Sequence, residues 1–220
     1  MPAARFVVVH GRFQPFHLEH LAYCRLGLDR GETLVVGITN FEPDVIVPEP
    51  TSPGRHEPDA NPFTYWERTL MVRDALLADG VEPERFVIVA FPIHHPDRWR
   101  HYLPWGAPTR PPTPPRARKR PEGPGPLLDD PMRVLHVVRV FSEWEAEKVR
   151  RLRAAGLQVD AITGTPKRLS GRDVRARIAA DDGWEGLVPP AVRDWIVRLD
   201  GPRRCARPRN ETFDQGMTPR

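Results

Sequence analysis

Five short runs rich in β-branched residues, 5–10 (RFVVVH), 33–39 (TLVVGIT), 85–91 (RFVIVAF), 133–140 (RVLHVVRV) and 157–162 (LQVDAI), recur at spacings too wide for hairpins. Stretches of helical periodicity lie at 17–30, 64–79, 142–155, 170–181 and 190–199. Strands joined by helical crossovers must run parallel, with helices covering both faces. The predicted fold class is therefore α/β, a Rossmann-like three-layer sandwich around a parallel sheet.

With 220 residues and 40% hydrophobic content, the chain can bury one good core. We expect a single domain over 1–200 and a disordered tail over 201–220. Segment 104–131 (PWGAPTRPPTPPRARKRPEGPGPLLDDP) is too rich in proline and glycine to pack and reads as an inserted, flexible surface loop. Segment 41–60 has a similar composition but follows the carboxyl end of a strand, where α/β folds place ligands, so it is a candidate lid.

Cys24 and Cys205 are far apart and show no metal spacing, which argues against a disulfide framework and fits a reducing cytoplasm. No apolar run approaches a membrane span, so no membrane partner is expected. The net charge is +4 and the pI about 9.5, yet only RARKR at 116–120 is a dense basic run. Small anionic substrates are therefore expected rather than nucleic acid. Thirty arginines against three lysines, with 27 prolines, read as the signature of a GC-rich genome. The sequence leaves the oligomeric state open, a homo-oligomer included.

Chemistry concentrates in VVVHGRFQPFHLEH, residues 7–20. A strand, a glycine turn and a helix starting near His17 put unpaired first-turn amides at the end of the sheet, which is an anion site. Gly11 lets the backbone approach a phosphate, Arg12 can fork onto its oxygens, and Pro15 stiffens the turn. His17 and His20, three apart, share one helix face and can both donate to a triphosphate. A cap, a surface position or a metal pair are the other readings of these histidines. No third ligand stands at metal spacing, so no protein-held metal site is assigned. Neither GxxxxGK[ST] nor GxGxxG occurs.

GRFQPFHLEH resembles the GRFQPxHxGH signature of the HxGH nucleotidyltransferases, specifically the archaeal-type nicotinamide mononucleotide adenylyltransferase branch. The resemblance continues at NPFTYWER (61–68), PIHHPDRW (92–99), LSGRDVRARI (169–178) and WEGLVPPAV (184–192). It implies attack of an acceptor phosphate oxygen on the α-phosphorus of a nucleoside triphosphate, with Mg²⁺ shielding the leaving pyrophosphate. It implies catalytic roles for His17, His20, Arg12 and Arg175, and nucleotide contacts from Gly11, Phe13, Gln14, Glu19, Ser170 and Arg172.

The sequence departs from that pattern in four places. Glu19 replaces the glycine of HxGH and either points outward or contacts the nucleotide, for instance the exocyclic amine of cytosine. EWE (143–145) stands where the family carries TGN, and Arg172 replaces a threonine. Pro92 and Pro96 replace the aspartate and asparagine that fix the nicotinamide, while Trp99 is kept. His94, His95, Arg98, Trp99 and Arg100 are then the predicted acceptor site, suited to a compact anion. The expected activity is nucleotidyl transfer from a triphosphate, CTP foremost, to a small phosphonate or phosphate. Synthesis of NAD from ATP and nicotinamide mononucleotide is the alternative, and a catalytically degenerate nucleotide-sensing module a second one.

Overall fold

The computed structural model describes residues 4–42, 46–103, 134–164 and 166–206, with the side chain of Arg100 left out. Five strands, β1 (Ala4–Gly11), β2 (Gly31–Ile38), β3 (Phe86–Ala90), β4 (Val134–Arg139) and β5 (Gln158–Ile162), form one sheet in the order β3-β2-β1-β4-β5. Every pairing is parallel. The helices are α1 (Leu18–Leu28), α2 (Tyr65–Ala78), α3 (Glu143–Ala154), α4 (Gly171–Ala180), α5 (Pro190–Arg198) and α6 (Gly201–Ala206).

Alternate strand residues point to opposite faces, and each face has its own core. Val7, Val9, Leu34, Val36 and Ile38 pack with residues of α1, α2, α4 and α5. Val8, Val35, Val134 and Val138 pack on the other side with Trp99, Leu103, Trp144, Val149 and Leu152. This double coverage is why the strands read as unbroken valine runs. The predicted Rossmann-like sandwich is the observed one.

The helices begin where local chemistry permits. Thr64 accepts from the Glu67 amide while the Glu67 carboxylate takes the Thr64 amide, a reciprocal cap that starts α2 inside the NPFTYWER stretch. Ser170 caps α4, its hydroxyl oxygen accepting from the Asp173 amide.

One boundary is corrected. Residues 201–206, expected in a disordered tail, form α6. The sequence shows only an arginine-rich end, but Cys205 packs against the larger core and Arg204 pairs with Glu67 at 2.7 Å. Gly201 sits so close to Ile196 that a β-carbon would lie 2.4 Å from Ile196 Cγ2. The predicted loop at 104–131 and residues 207–220 lie outside the described residues. Both cysteines are free thiols, as expected. Among the described residues no helix is long and apolar enough to cross a membrane.

Candidate active site

The strand order turns back on itself between β1 and β4, and open α/β sheets bind ligands at the carboxyl ends of such a pair. A cleft opens there, enclosing about 810 Å³ together with its open mouth. Its walls come from the β1–α1 loop, the 46–57 segment, the end of β4, α3 and the start of α4.

The β1–α1 loop is held rigidly. Phe13 adopts a left-handed conformation (φ 53°), and its buried ring packs on Phe16 and His20 at 5.5 and 4.9 Å between centroids. A β-carbon on Gly11 would lie 2.8 Å from that ring, so glycine is required there. The Gln14 carboxamide donates to the Phe63 carbonyl at 2.8 Å and accepts from the Phe63 amide at 2.9 Å, mimicking one rung of a sheet. Buried Arg68 donates to the carbonyls of Arg12, Thr39 and Asn40, each at 2.7 Å, tying the loops after β1 and β2 to α2.

His17 stands at the N-cap of α1, and its amide donates to His20 Nδ1 at 3.3 Å. A bare Nδ1 places the neutral His20 proton on Nε2, which makes Nε2 a donor. The two rings stack at 3.6 Å between centroids. Burial pushes the His17 pKa down to about 3 and also lowers that of His20, with help from His17, Lys167, Arg12 and Arg139. Both imidazoles are neutral at pH 7, and His17 Nδ1 is buried without a hydrogen-bond partner.

Around them stand six cations, Arg12, Arg55, Arg139, Lys148, Lys167 and Arg175, against two carboxylates, Glu19 and Glu145. Arg12 Nη1 donates to the carbonyls of Arg55 and Ala60, both at 3.2 Å, and Arg175 Nη1 donates to that of Gln14 at 2.8 Å. Burial, then repulsion from Arg55, Arg175, Arg68 and Arg172, holds the Arg12 pKa well below its ordinary value. Such mutual repulsion is relieved by a polyanion lying between the guanidinium groups.

The predicted catalytic set of Arg12, His17, His20 and Arg175 is thus brought together. Glu19 does not point outward: its carboxylate takes Arg139 Nη1 at 2.7 Å inside the cleft, with the Arg139 guanidinium over the Phe141 ring. Phe13 and Gln14 also line the cleft, with the Gln14 carboxamide paired to the Phe63 backbone and the Phe13 ring 1% exposed. Ser170 is spent on Asp173, donating to its carboxylate at 2.6 Å, and the exposed Arg172 lies outside the lining.

The predicted acceptor segment is also corrected. Trp99 is 2% exposed, stacks on Phe91 and donates to the Pro92 carbonyl at 2.8 Å, so it is core. His94 stacks on Trp144 and faces Glu49, Arg98 is exposed, and neither they nor His95 line the cleft. The lining instead includes residues the sequence reading passed over: His10, Arg55, Arg139, Lys148 and Lys167. One signal was available, because two of the only three lysines in the chain, Lys148 and Lys167, face this cleft.

No protein-family model matches the chain. It is 41% identical over 186 residues, 84% of its length and 86% of the relative's, to a phosphonoformate cytidylyltransferase of Streptomyces viridochromogenes. It is 31% identical to a nicotinamide-nucleotide adenylyltransferase of Methanospirillum hungatei, over 87% of this chain and 86% of that one. With its counterpart from Saccharolobus solfataricus the identity is 28%, over 88% and 91%. A bifunctional NMN adenylyltransferase/ADP ribose pyrophosphatase from Francisella tularensis, solved with AMP and a manganese ion, superposes with a TM-score of 0.57 at 14% identity. That likeness covers 92% of this chain but 52% of the solved one, so this chain spans about half its length. At such identity it speaks for the fold alone.

Proposed function

The chain belongs to the HxGH nucleotidyltransferases, together with phosphonoformate cytidylyltransferase and the archaeal nicotinamide-nucleotide adenylyltransferases, and we propose that it transfers a cytidylyl group from CTP to a small phosphonate. The observation that carries this is the composition of the cleft: six cations against two carboxylates around two neutral imidazoles, with Trp99 of the segment expected to hold a nicotinamide buried in the core and its His94, His95 and Arg98 outside the lining.

The acceptor is an ionised oxyanion at pH 7 and already a nucleophile. An acceptor oxygen forms a bond to the α-phosphorus while the bond from that phosphorus to the bridging oxygen breaks, and the electron pair leaves with pyrophosphate. No proton need move. Catalysis then comes from alignment and charge stabilisation. His20 Nε2–H and the His17 ring serve the α-phosphoryl oxygens, where neutral donors match charge that develops without repelling a cation beside them. Arg12 and Arg175 take the β- and γ-phosphates. Glu19 and Arg139, already paired, offer an acceptor for the cytosine amine and donors for its ring edge.

Among the described residues no group of three or more His, Cys, Asp or Glu could hold a metal ion. This fits Mg²⁺ arriving on the triphosphate, because that ion keeps waters and phosphate oxygens as most of its ligands. Mg²⁺ supplies charge neutralisation of the leaving pyrophosphate.

The test is pyrophosphate release from each of the four common triphosphates with phosphonoformate and with nicotinamide mononucleotide. CTP with phosphonoformate is expected to be the productive pair. Efficient NAD formation from ATP, at a kcat/KM of about 10⁴ M⁻¹s⁻¹ or more, overturns the proposal in favour of the adenylyltransferase reading.

A further inference from the structure

Lys148 lies on α3, is 6% exposed, and lines the inner part of the cleft. Its ammonium stands 5.8 Å from the centre of the Trp144 ring, and the Arg55 guanidinium stands 5.4 Å from the centre of the same ring. The Arg151 guanidinium stands 5.4 Å from the same ring but is paired with Glu49 and Glu147, whereas among the described residues neither Lys148 nor Arg55 forms an ion pair with a carboxylate. Beside them His10 stacks on Phe91, and its Nε2 shares a 2.9 Å hydrogen bond with His136 Nδ1. His10 Nδ1 is left buried without a partner. His10 is 3% exposed and lines the cleft.

We propose that Lys148 and Arg55, with His10 at the floor, form the subsite that binds the oxyanion of the acceptor. The proposal rests on the nucleotidyltransferase reading above and replaces segment 94–100 as the acceptor site. Three features separate this subsite from the triphosphate site. Its cations come from α3 and the 46–57 segment, whereas Arg12, His17 and His20 come from the β1–α1 region and Arg175 from α4. Its cations are backed by the buried Trp144 ring and by His10, which suits a compact anion with little to reach beyond it. It also uses a lysine in a chain with only three of them among 33 basic residues, and a compact ammonium on a flexible stem is what a small, crowded oxyanion site accommodates.

The groups facing Lys148 are Glu145 from its own helix, Arg55 from the 46–57 segment, Lys167 from the approach to α4 and His10 from β1. Burial pushes the Lys148 pKa down to about 8, the two cations reinforcing and Glu145 opposing the shift. Lys148 therefore carries its charge at pH 7 and loses it within an accessible range, while His10, neutral through burial, does not titrate there.

The experiment measures binding of phosphonoformate, and of inorganic phosphate as the smaller probe, by calorimetry to the wild type, Lys148→Met and Lys148→Arg. CTP binding is measured alongside. For Lys148→Met, phosphonoformate affinity is expected to fall about tenfold or more while CTP affinity changes less than about threefold. In the wild type, phosphonoformate affinity should weaken as pH rises past 8. Lys148→Arg, which shows that a folded cation remains, should lose that alkaline fall. Unchanged phosphonoformate affinity in Lys148→Met, or an equal loss for CTP, overturns the proposal. Wild-type protein that binds CTP but neither probe overturns the acceptor class itself, and it does so before any variant is made.

Discussion

Replacing Gln14 by alanine separates a bracket from a ligand. The carboxamide is 2% exposed and makes two hydrogen bonds to the backbone of Phe63, itself 2% exposed. Truncation leaves a buried N–H and a buried C=O without partners, at about 1–3 kcal/mol each. Water entering from the cleft recovers part of this, so a net loss of about 3 kcal/mol is expected. At about 2–4 °C per kcal/mol for a domain of this size, Tm should fall by about 6–12 °C. Scanning calorimetry reads that shift. Calorimetric CTP titration at 10 °C, where the variant remains folded, should give an affinity within about threefold of wild type. A Tm within about 2 °C of wild type combined with a tenfold weaker CTP affinity refutes the bracket and restores Gln14 as a nucleotide ligand.

His17→Ala and His20→Ala should each lower kcat by about 100-fold or more, since each removes a donor from the α-phosphoryl group, and near wild-type turnover in either would remove its catalytic role. Glu19→Gln breaks a partly exposed ion pair and should change stability by less than about 1 kcal/mol, yet lower the ratio of kcat/KM for CTP over ATP; an unchanged ratio detaches Glu19 from base selection. Burial depresses the pKa of both His17 and His136 to about 3, so the folded state keeps them neutral while the unfolded chain protonates them below its usual value near 6.5. The unfolded state then binds more protons, and stability should fall by about 1.4 kcal/mol per histidine from pH 7.5 to 5.5; a constant urea midpoint over that range would contradict the buried neutral state.

The sheet was legible because its residues obey one rule. Val7, Val8 and Val9 are all fully buried, on alternating faces, so apolar character and β-branching coincide at every position. Helix α6 was not legible, because what orders it is not its composition. Arg204 finds Glu67 on α2 and Gly201 fits against Ile196, contacts that link residues far apart or depend on a missing β-carbon. Trp99 shows the same limit at the site. A tryptophan that stacks on a ligand and one that stacks on Phe91 are identical in sequence, and only the fold decides between them. His10 and His136 pair across 126 positions, a distance no spacing argument spans.

The triphosphate side was readable because most of it comes from one continuous stretch, with Arg12, His17 and His20 falling within nine residues. The opposite wall gathers Arg55, Glu145 and Lys148 from separate segments, so its charge exists only after folding. This division has a consequence for specificity. On the proposed reading, residues that hold the triphosphate sit on β1–α1 and α4, and the cations that choose the acceptor sit on α3 and the 46–57 segment. Changing the second group leaves the geometry of the first in place, because Arg68 and Gln14 fix the β1–α1 loop through backbone contacts that do not involve α3. On this reading an acceptor site can be exchanged for another without rebuilding the catalytic histidines.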